Sequence, residues 1–154
     1  MTIVVQRESP DQPSVVDFLG KADERSSALY PSQNRVGSPL AALLADNIRF
    51  FVARANGKAL GCGGYAVLPD GSAEMKRLFV DPDSRGQGVG FRLVQAIEAA
   101  AVQDGVRQIF LETGVKSHEA LGLYRRIGFK QCGPFGSYAN DPLSIFMVKP
   151  LEPA

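Results

Sequence analysis

The sequence predicts an α/β domain in which helices cover the faces of one mixed β-sheet. Two hairpin signals, Asn56-Gly57 and Asp70-Gly71, link three segments of strand character into an antiparallel meander. Strand–helix–strand segments follow, and such units bring parallel neighbours into a sheet. A meander joined to these units indicates a mixed sheet rather than a purely antiparallel or purely parallel one.

Composition limits the classes of protein to which the chain belongs. With 154 residues, 45% of them hydrophobic and 21% charged, it matches one globular domain that we expect to span 1–154. A net charge of +1 gives no electrostatic footprint for nucleic acid or an anionic membrane. No signal peptide and no apolar run near ~18 residues stands out. Two cysteines and one histidine offer no metal-ligand spacing, so we expect a cytoplasmic, metal-free protein; a homodimer stays open.

The first third of the chain predicts one strand and two helical segments. "IVVQR", residues 3–7, has the alternation of a short opening strand. A mixed helical and loop region follows, with Pro13 placed at a helix start and an apolar face formed by Val15, Phe18 and Leu19. "SPLAALLADN" predicts a second short helix with Ser38 as its cap and Pro39 at its first position.

The remaining elements alternate after the meander. Strands are predicted over 50–55, 58–68 and 72–80, and a helix over 89–104 that Gly105 ends. A buried strand over 106–114 and a helix from Ser117 to Gly128 follow. Strands over 129–133 and 143–151 close the chain, with a polar loop rich in proline and glycine between them.

A glycine-rich loop, "SRGQGVG", runs directly into the helix predicted from residue 89. Closely spaced glycines let backbone N–H groups approach a partner, and a helix N-terminus attracts anions. A Walker A loop needs Gly-Lys-Ser/Thr where this loop has Gly90-Phe91-Arg92, and a dinucleotide fingerprint needs a third glycine where Phe91 stands. An anion site of another kind is favoured, and a flexible loop without a ligand remains the alternative.

Three stretches together resemble the GCN5-related N-acetyltransferase (GNAT) superfamily. "VDPDSRGQGVG" looks like the family's motif A, with Arg85, Gly88 and Gly90 in the places of its Arg/Gln-x-x-Gly-x-Gly/Ala pattern. The preceding "AEMKRLFV" and the downstream "EALGLYRRIGF" resemble family segments in the family's order, and the closing stretch resembles a small bacterial branch. The resemblance covers about Phe50 to the C-terminus. It implies a central, mostly antiparallel sheet that is splayed in the middle, with helices on both faces.

The resemblance also implies acetyl-CoA as the bound co-substrate. Its pyrophosphate would lie on the loop and helix N-terminus, and its pantetheine arm would pair with residues 78–80 like an added strand. Such pairing requires the sheet to open beyond that point, for which a β-bulge is the usual device. Ser117 stands where many members have Asn, which puts a side-chain contact to the pantetheine in doubt. The implied cofactor contacts are Leu78, Phe79, Val80, Arg85, Gly86, Gln87, Gly88, Val89, Gly90, Phe91 and Ser117.

Two residues are candidates for acyl transfer. Tyr124 matches the family tyrosine that protonates the leaving thiolate, and its alternative role is that of a core aromatic on a helical apolar stripe. Glu74 matches the general base of the histone-acetyltransferase branch, and its alternative is an exposed partner of Lys76. Strand alternation predicts Glu74, Lys76 and Leu78 on one face up to any bulge. The main-chain N–H of Leu78 would serve as an oxyanion donor.

Acceptor recognition is expected from the polar loops and strand ends that line a cleft. The candidate contacts are Glu112, Thr113, Arg35, Lys76 and Tyr138. Without an acidic groove for a basic peptide, we expect a primary amine of a small molecule as acceptor, attacking directly in a ternary complex. The alternatives are an acetyltransferase of protein N-termini or lysines, and a non-catalytic CoA-binding module.

Overall fold

The computed structural model of the chain describes residues 2–32 and 37–153. These residues form the strands β1 (Val4–Arg7), β2 (Ile48–Ala55), β3 (Lys58–Val67), β4 (Ala73–Val80), β5 (Gln108–Gly114), β6 (Lys130–Cys132) and β7 (Ser144–Pro150). Their α-helices are α1 (Pro13–Leu29), α2 (Leu40–Leu43), α3 (Val89–Gln103) and α4 (His118–Ile127), and a 3₁₀ turn, Pro82–Ser84, precedes α3. The predicted order of elements is confirmed. Within the described ranges, no helix is long and apolar enough to cross a membrane.

The strands form one sheet in the order β1-β2-β3-β4-β5-β7-β6. Every neighbouring pair is antiparallel except β4 and β5, which run parallel, so the predicted mixed and mostly antiparallel sheet is confirmed. The hairpin predicted at Asn56-Gly57 joins β2 to β3 with both residues at positive φ, 51° and 81°. That backbone matches the right-handed twist of the paired strands, which is why this dipeptide favours the turn.

Helices cover both faces of the sheet. On one face α3 and α4 pack through residues such as Leu93, Ile97 and Leu121 into a cluster that includes Ile109 and Met147. On the other face the N-terminal helices pack against β2 and β3 in a second cluster of Val15, Phe18, Leu19, Leu43, Phe50, Val52, Ala59 and Cys62. The sheet is therefore a middle layer whose two faces are buried independently, as the resemblance implied.

A β-bulge interrupts the pairing of β3 with β4. Cys62 faces Phe79 and Gly64 faces Lys76, so Arg77 and Leu78 together oppose one β3 residue. Arg77 has a left-handed backbone, with φ of 55°. The pairing of β4 with β5 extends over only two positions, Ala73 with Ile109 and Glu74 with Phe110. Beyond them the two strands diverge, which confirms the splayed sheet.

The predicted alternation of Glu74, Lys76 and Leu78 on one face, made up to any bulge, holds for Glu74 and Lys76 and ends before Leu78. An extra residue in the strand reverses the alternation of side chains beyond it. Leu78 therefore packs with Met75 in the cluster that contains α3. Glu74 and Lys76 alternate with Met75 and lie on the opposite face.

The short helix α2 also begins differently from the prediction. It starts at Leu40 after Pro39, and no side chain caps its N-terminus, so the predicted cap by Ser38 is wrong. The carbonyl oxygen of Ser38 instead accepts a hydrogen bond from Arg77 Nε at 2.9 Å. A contact with a strand thus fixes the entry to α2.

Replacing Gly64 with alanine is expected to destabilise the fold. A β-carbon at Gly64 would collide with the backbone carbonyl of Arg49 on β2, so one of the two strands would have to shift. Overpacking of this kind costs about 1–3 kcal/mol, which corresponds to a melting temperature lower by roughly 2–12 °C at this chain length. Calorimetric melting of Gly64→Ala measures the effect.

Gly20→Ala is the matched control, because Gly20 lies within α1 and nothing stands within 4 Å of its added β-carbon. Alanine favours the helix by about 0.5–1 kcal/mol, so this variant should melt no lower than the wild type. Equal melting of Gly64→Ala and the wild type would contradict the close strand approach.

Candidate functional site

A cavity of about 980 Å³ opens where β4 and β5 diverge. Leu78–Val80 line it from one strand and Leu111–Gly114 from the other, while the glycine-rich loop and the start of α3 line one end. Side chains of α1 and α4 complete the walls. We call this cavity the interstrand cleft, residues 75–80 the β4 arm and residues 111–114 the β5 arm.

The β4 arm presents an unpaired strand edge to the cleft. Phe79 and Val80 pair with Cys62 and Gly61 of β3 on one side. On the other side the pairing with β5 ends at Glu74, so in the described part of the chain no strand completes this edge. An extended ligand with amide groups can bind such an edge as an additional strand.

The N-terminus of α3 is prepared for an anion. Gly88 occupies the N-cap position with φ of 79°, no side chain caps the helix, and its first turn contains no acidic residue. The first N–H groups of the helix are consequently available at its positive end. Gly90 has a different task, because a β-carbon there would lie 2.9 Å from the side chain of Leu123 on α4. One glycine shapes the loop and the other allows α3 and α4 to approach.

Arg85 lines the cleft, and its side chain also pairs with a carboxylate of α4. Its guanidinium group donates to Glu119 Oε1 in the first turn of α4 at 3.3 Å, and both side chains are substantially exposed. An exposed pair of this kind contributes at most about 1 kcal/mol to stability. A ligand anion can therefore compete for the guanidinium group without a large cost to the fold.

Tyr124 belongs both to the core and to the cleft. It is 7% exposed, its ring packs edge-on against Phe129 at 5.7 Å between centroids, and it lines the cleft. Burial raises the pKa of its phenol well above the usual value of about 10. Among the described residues no hydrogen-bond partner of its hydroxyl is found. The hydroxyl thus keeps its proton at neutral pH and has a donor available to a ligand.

Glu112 is the carboxylate of the β5 arm that lines the same cleft as Tyr124. Its Oε2 accepts a hydrogen bond from the hydroxyl of Ser144 on β7 at 2.7 Å. Because β5 and β7 are paired at this level, the sheet itself orients the carboxylate.

Glu74 lies in a different environment. It is 7% exposed, its Oε2 accepts from the Tyr138 hydroxyl at 2.6 Å, and its Oε1 lies 3.2 Å from Lys76 Nζ. It lines a second cavity of about 470 Å³, whose walls include Phe110, Phe135 and Tyr138. The carboxylate is thus buried and paired, which differs from the exposed partner of Lys76 considered as its alternative.

The cleft brings most of the candidate residues together. Those that line it are Leu78, Phe79, Val80, Arg85, Gly86, Gly88, Val89, Gly90, Phe91, Glu112, Thr113, Ser117 and Tyr124. Glu74 and Tyr138 line the second cavity instead, and neither cavity is lined by Gln87 or Lys76. Arg35 lies outside the described residues. Ser117 is the N-cap residue of α4, but its side chain makes no capping hydrogen bond.

The sequence-based prediction missed the contribution of α1. Four of its residues, Ala22, Arg25, Ser26 and Leu29, line the cleft together with its C-cap residue, Tyr30. The spacing of these positions, three or four residues apart, is a helical stripe that was visible in the sequence. This stripe follows the apolar face formed by Val15, Phe18 and Leu19 along the helix, and its spacing marks it as a continuation of that face.

Comparison with known proteins identifies the family to which the chain belongs. A profile of the acetyltransferase (GNAT) family matches residues 16–129. An IAA acetyltransferase from Azospirillum brasilense is 43% identical over 150 residues, covering 97% of this chain and 98% of that protein. The N-alpha-acetyltransferase RimI from Mycobacterium tuberculosis is 31% identical over 132 residues, covering 79% and 82%. A candidate acyl-CoA N-acyltransferase from Klebsiella pneumoniae superposes with a TM-score of 0.83 at 32% identity, covering 97% and 98%.

The protonation of Tyr124 predicts a loss of stability at alkaline pH. Since burial raises the pKa of Tyr124 in the folded chain, the unfolded chain releases the proton first. The contribution to stability is complete below about pH 10 and falls above it by up to ~1.4 kcal/mol per pH unit. Above about pH 10, the free energy of unfolding measured with urea should therefore fall more steeply with pH for the wild type than for Tyr124→Phe. Parallel pH profiles of the two proteins would contradict a buried, protonated phenol.

Proposed function

The chain belongs to the acetyltransferase (GNAT) family, and from that premise we propose that it transfers an acetyl group from acetyl-CoA to a primary amine of a small molecule. The amine attacks directly while both substrates are bound, in the cytoplasm. The observation that carries the proposal is the interstrand cleft, which combines an unpaired strand edge, an uncapped helix N-terminus and a buried tyrosine.

Donor binding follows from the two backbone features of the cleft. The pyrophosphate of acetyl-CoA is proposed to accept hydrogen bonds from main-chain N–H groups of residues 85–91 at the start of α3. The amide groups of its pantetheine arm are proposed to pair with the free edge at Leu78–Val80. The side chain of Ser117 is free of a capping bond and is available to the same arm.

The chain supplies groups for the acyl transfer on both sides of the breaking bond. As the amine nitrogen bonds to the acetyl carbon, the Leu78 N–H donates to the carbonyl oxygen on which negative charge develops. Tyr124 transfers its proton to the sulfur as the carbon–sulfur bond breaks. The ammonium that forms loses one proton to a base, so an amide and free CoA thiol leave, and solvent restores the proton of Tyr124.

Two carboxylates are candidates for that base. Glu74, proposed from the resemblance, is buried and already holds Lys76 and Tyr138. Glu112 lines the cleft that Tyr124 lines and holds the Ser144 hydroxyl. The shared cleft favours Glu112, whereas Glu74 requires a proton path from the second cavity.

The acceptor side favours a small molecule. The relative with 43% identity across nearly the whole chain is named for IAA, whereas RimI, named for N-alpha acetylation, is more distant. Arg25 and Ser26 of α1 line the cleft together with Glu112 and Thr113 of β5, so the proposed acceptor site has groups from a helix and from a strand. Lys76, Tyr138 and Arg35 stay proposed as further acceptor contacts.

The proposal predicts amine-dependent release of CoA thiol. Thiol release from acetyl-CoA is measured over a panel of aliphatic amines, aromatic amines and peptides with free N-termini, with wild type and Tyr124→Phe in parallel. We expect turnover with at least one small amine, and a decrease of about 10²–10⁴-fold in Tyr124→Phe with an unchanged Kd for CoA. Turnover with peptides but with no small amine would indicate a protein acetyltransferase instead. CoA binding without turnover on any acceptor would leave a non-catalytic module.

The base is identified by the pH dependence of kcat/KM in two matched variants. If Glu112 accepts the proton, Glu112→Gln should lose the rise in rate towards alkaline pH and about 10²–10⁴-fold in rate, while Glu74→Gln should keep the shape of the profile. Both substitutions remove one carboxylate charge from a hydrogen-bonded position, so each serves as the control for the other. The reverse result would return the role to Glu74.

A further inference from the structure

The first of two contacts that anchor α1 lies on the β4 arm. Arg77 donates to Asp23 from Nη1 at 2.7 Å and from Nη2 at 3.2 Å, while its Nε donates to the Ser38 carbonyl oxygen at 2.9 Å. The Arg77 side chain is 8% exposed. Because Arg77 is the left-handed residue of the β-bulge, this contact joins α1 to the point where β4 turns away from β5.

The second contact lies beside the end of the β5 arm. Tyr30, the buried C-cap residue of α1, accepts a hydrogen bond from the Lys116 main-chain N–H at 2.9 Å through its hydroxyl. Lys116 Nζ donates back to the Leu29 carbonyl oxygen at 3.1 Å. A β-carbon at Gly114 would occupy the position of the Tyr30 hydroxyl, so this glycine gives the tyrosine its place. The end of α1 is thereby fastened to the turn that leaves β5.

The distance between the two anchor residues along α1 is similar to the separation of two strands that have one extended chain between them. Asp23 and Tyr30 are seven residues apart, about 10.5 Å along a helix axis. Neighbouring strands lie about 4.8 Å apart, so two such spacings, roughly 9.6 Å, leave room for one extended chain between two strands. Arg25, Ser26 and Leu29 lie between the anchors and line the cleft.

We propose that α1 is a brace that holds the β4 arm and the β5 arm at the separation needed by one inserted extended chain, with Asp23 and Tyr30 as its positioning residues. The identity of that inserted chain, the pantetheine arm, rests on the proposed function. The brace itself rests on the contacts between α1, Arg77 and Lys116. Both contacts lie on the C-terminal half of one helix, so we expect the loss of either contact to loosen both arms.

Amide hydrogen exchange tests the brace without any ligand. In Asp23→Ala and in Tyr30→Phe, exchange at 76–80 and at 112–116 should both become faster, by roughly tenfold in Tyr30→Phe, which loses one hydrogen bond, and by at least as much in Asp23→Ala, which loses two. The decisive result is the distant arm: Tyr30→Phe should loosen residues around Arg77, and Asp23→Ala should loosen residues around Lys116. Faster exchange confined to the arm that lost its own contact would overturn the brace.

Asp17→Ala is the matched control, because like Asp23→Ala it replaces one aspartate of α1 with alanine. Asp17 also lies on α1, where its carboxylate pairs with exposed Lys21 at 3.2 Å away from the cleft residues. This variant should leave exchange at both arms unchanged. If Tyr30→Phe does not fold, Lys116→Met tests the same anchor, because it removes the bond from Lys116 Nζ to Leu29.

Calorimetric titration with CoA then tests whether the brace supports ligand binding in the cleft. Each single variant should weaken CoA binding, by roughly tenfold, and the double variant Asp23→Ala/Tyr30→Phe should bind no worse than the weaker single variant. Independent contacts this far apart would have additive effects, so additivity would overturn the brace. If wild-type protein binds no CoA, the proposed function fails, while the exchange experiment still decides whether α1 braces the arms.

Discussion

The register slip at Arg77 is the constraint on which the rest of the site depends. Two residues of β4 occupy the space opposite Gly63, and the strand bends away from β5 after only two paired positions. A β-carbon at Gly63 would lie 3.0 Å from the side chain and 3.2 Å from the α-carbon of Leu78, so a glycine opposite the bulge favours the close approach of the two strands. The free edge, the cleft and the reversed orientation of Leu78 all follow from this one additional residue.

The same slip determines which ligands suit the cleft. A free strand edge alone would accept any extended polar chain, and an uncapped helix N-terminus alone would accept any small anion. Here both features line one cavity, which also contains a protonated tyrosine. A ligand that joins an anionic group to an extended amide-bearing arm uses both backbone features at once, and acetyl-CoA has that composition.

The sequence indicated the parts of this arrangement that depend on local interactions. The Asn56-Gly57 turn, the loop before α3 and the stripe that contains Tyr124 can be recognised because their residues lie close together in the chain. The bulge at Arg77 could be expected only from the family resemblance, since an arginine carries no turn signal. The seclusion of Glu74 depends on Tyr138, which is 64 residues away. Long-range contacts of this kind leave no local pattern, and neither does the attachment of α1 to Lys116.

Tyr124 shows why a core role and a chemical role are compatible. An exposed phenol would keep its ordinary pKa, and water would compete for its hydrogen bond. Burial beside Phe129 and Leu121 limits that competition, and it raises the pKa, so the phenol stays protonated beyond the pH at which an exposed tyrosine ionises. A thiolate that leaves inside the cleft would be a charge that can accept the phenol proton. The apolar packing that places Tyr124 in the core is therefore compatible with its proposed use as an acid, because it directs a protonated hydroxyl group into the cleft.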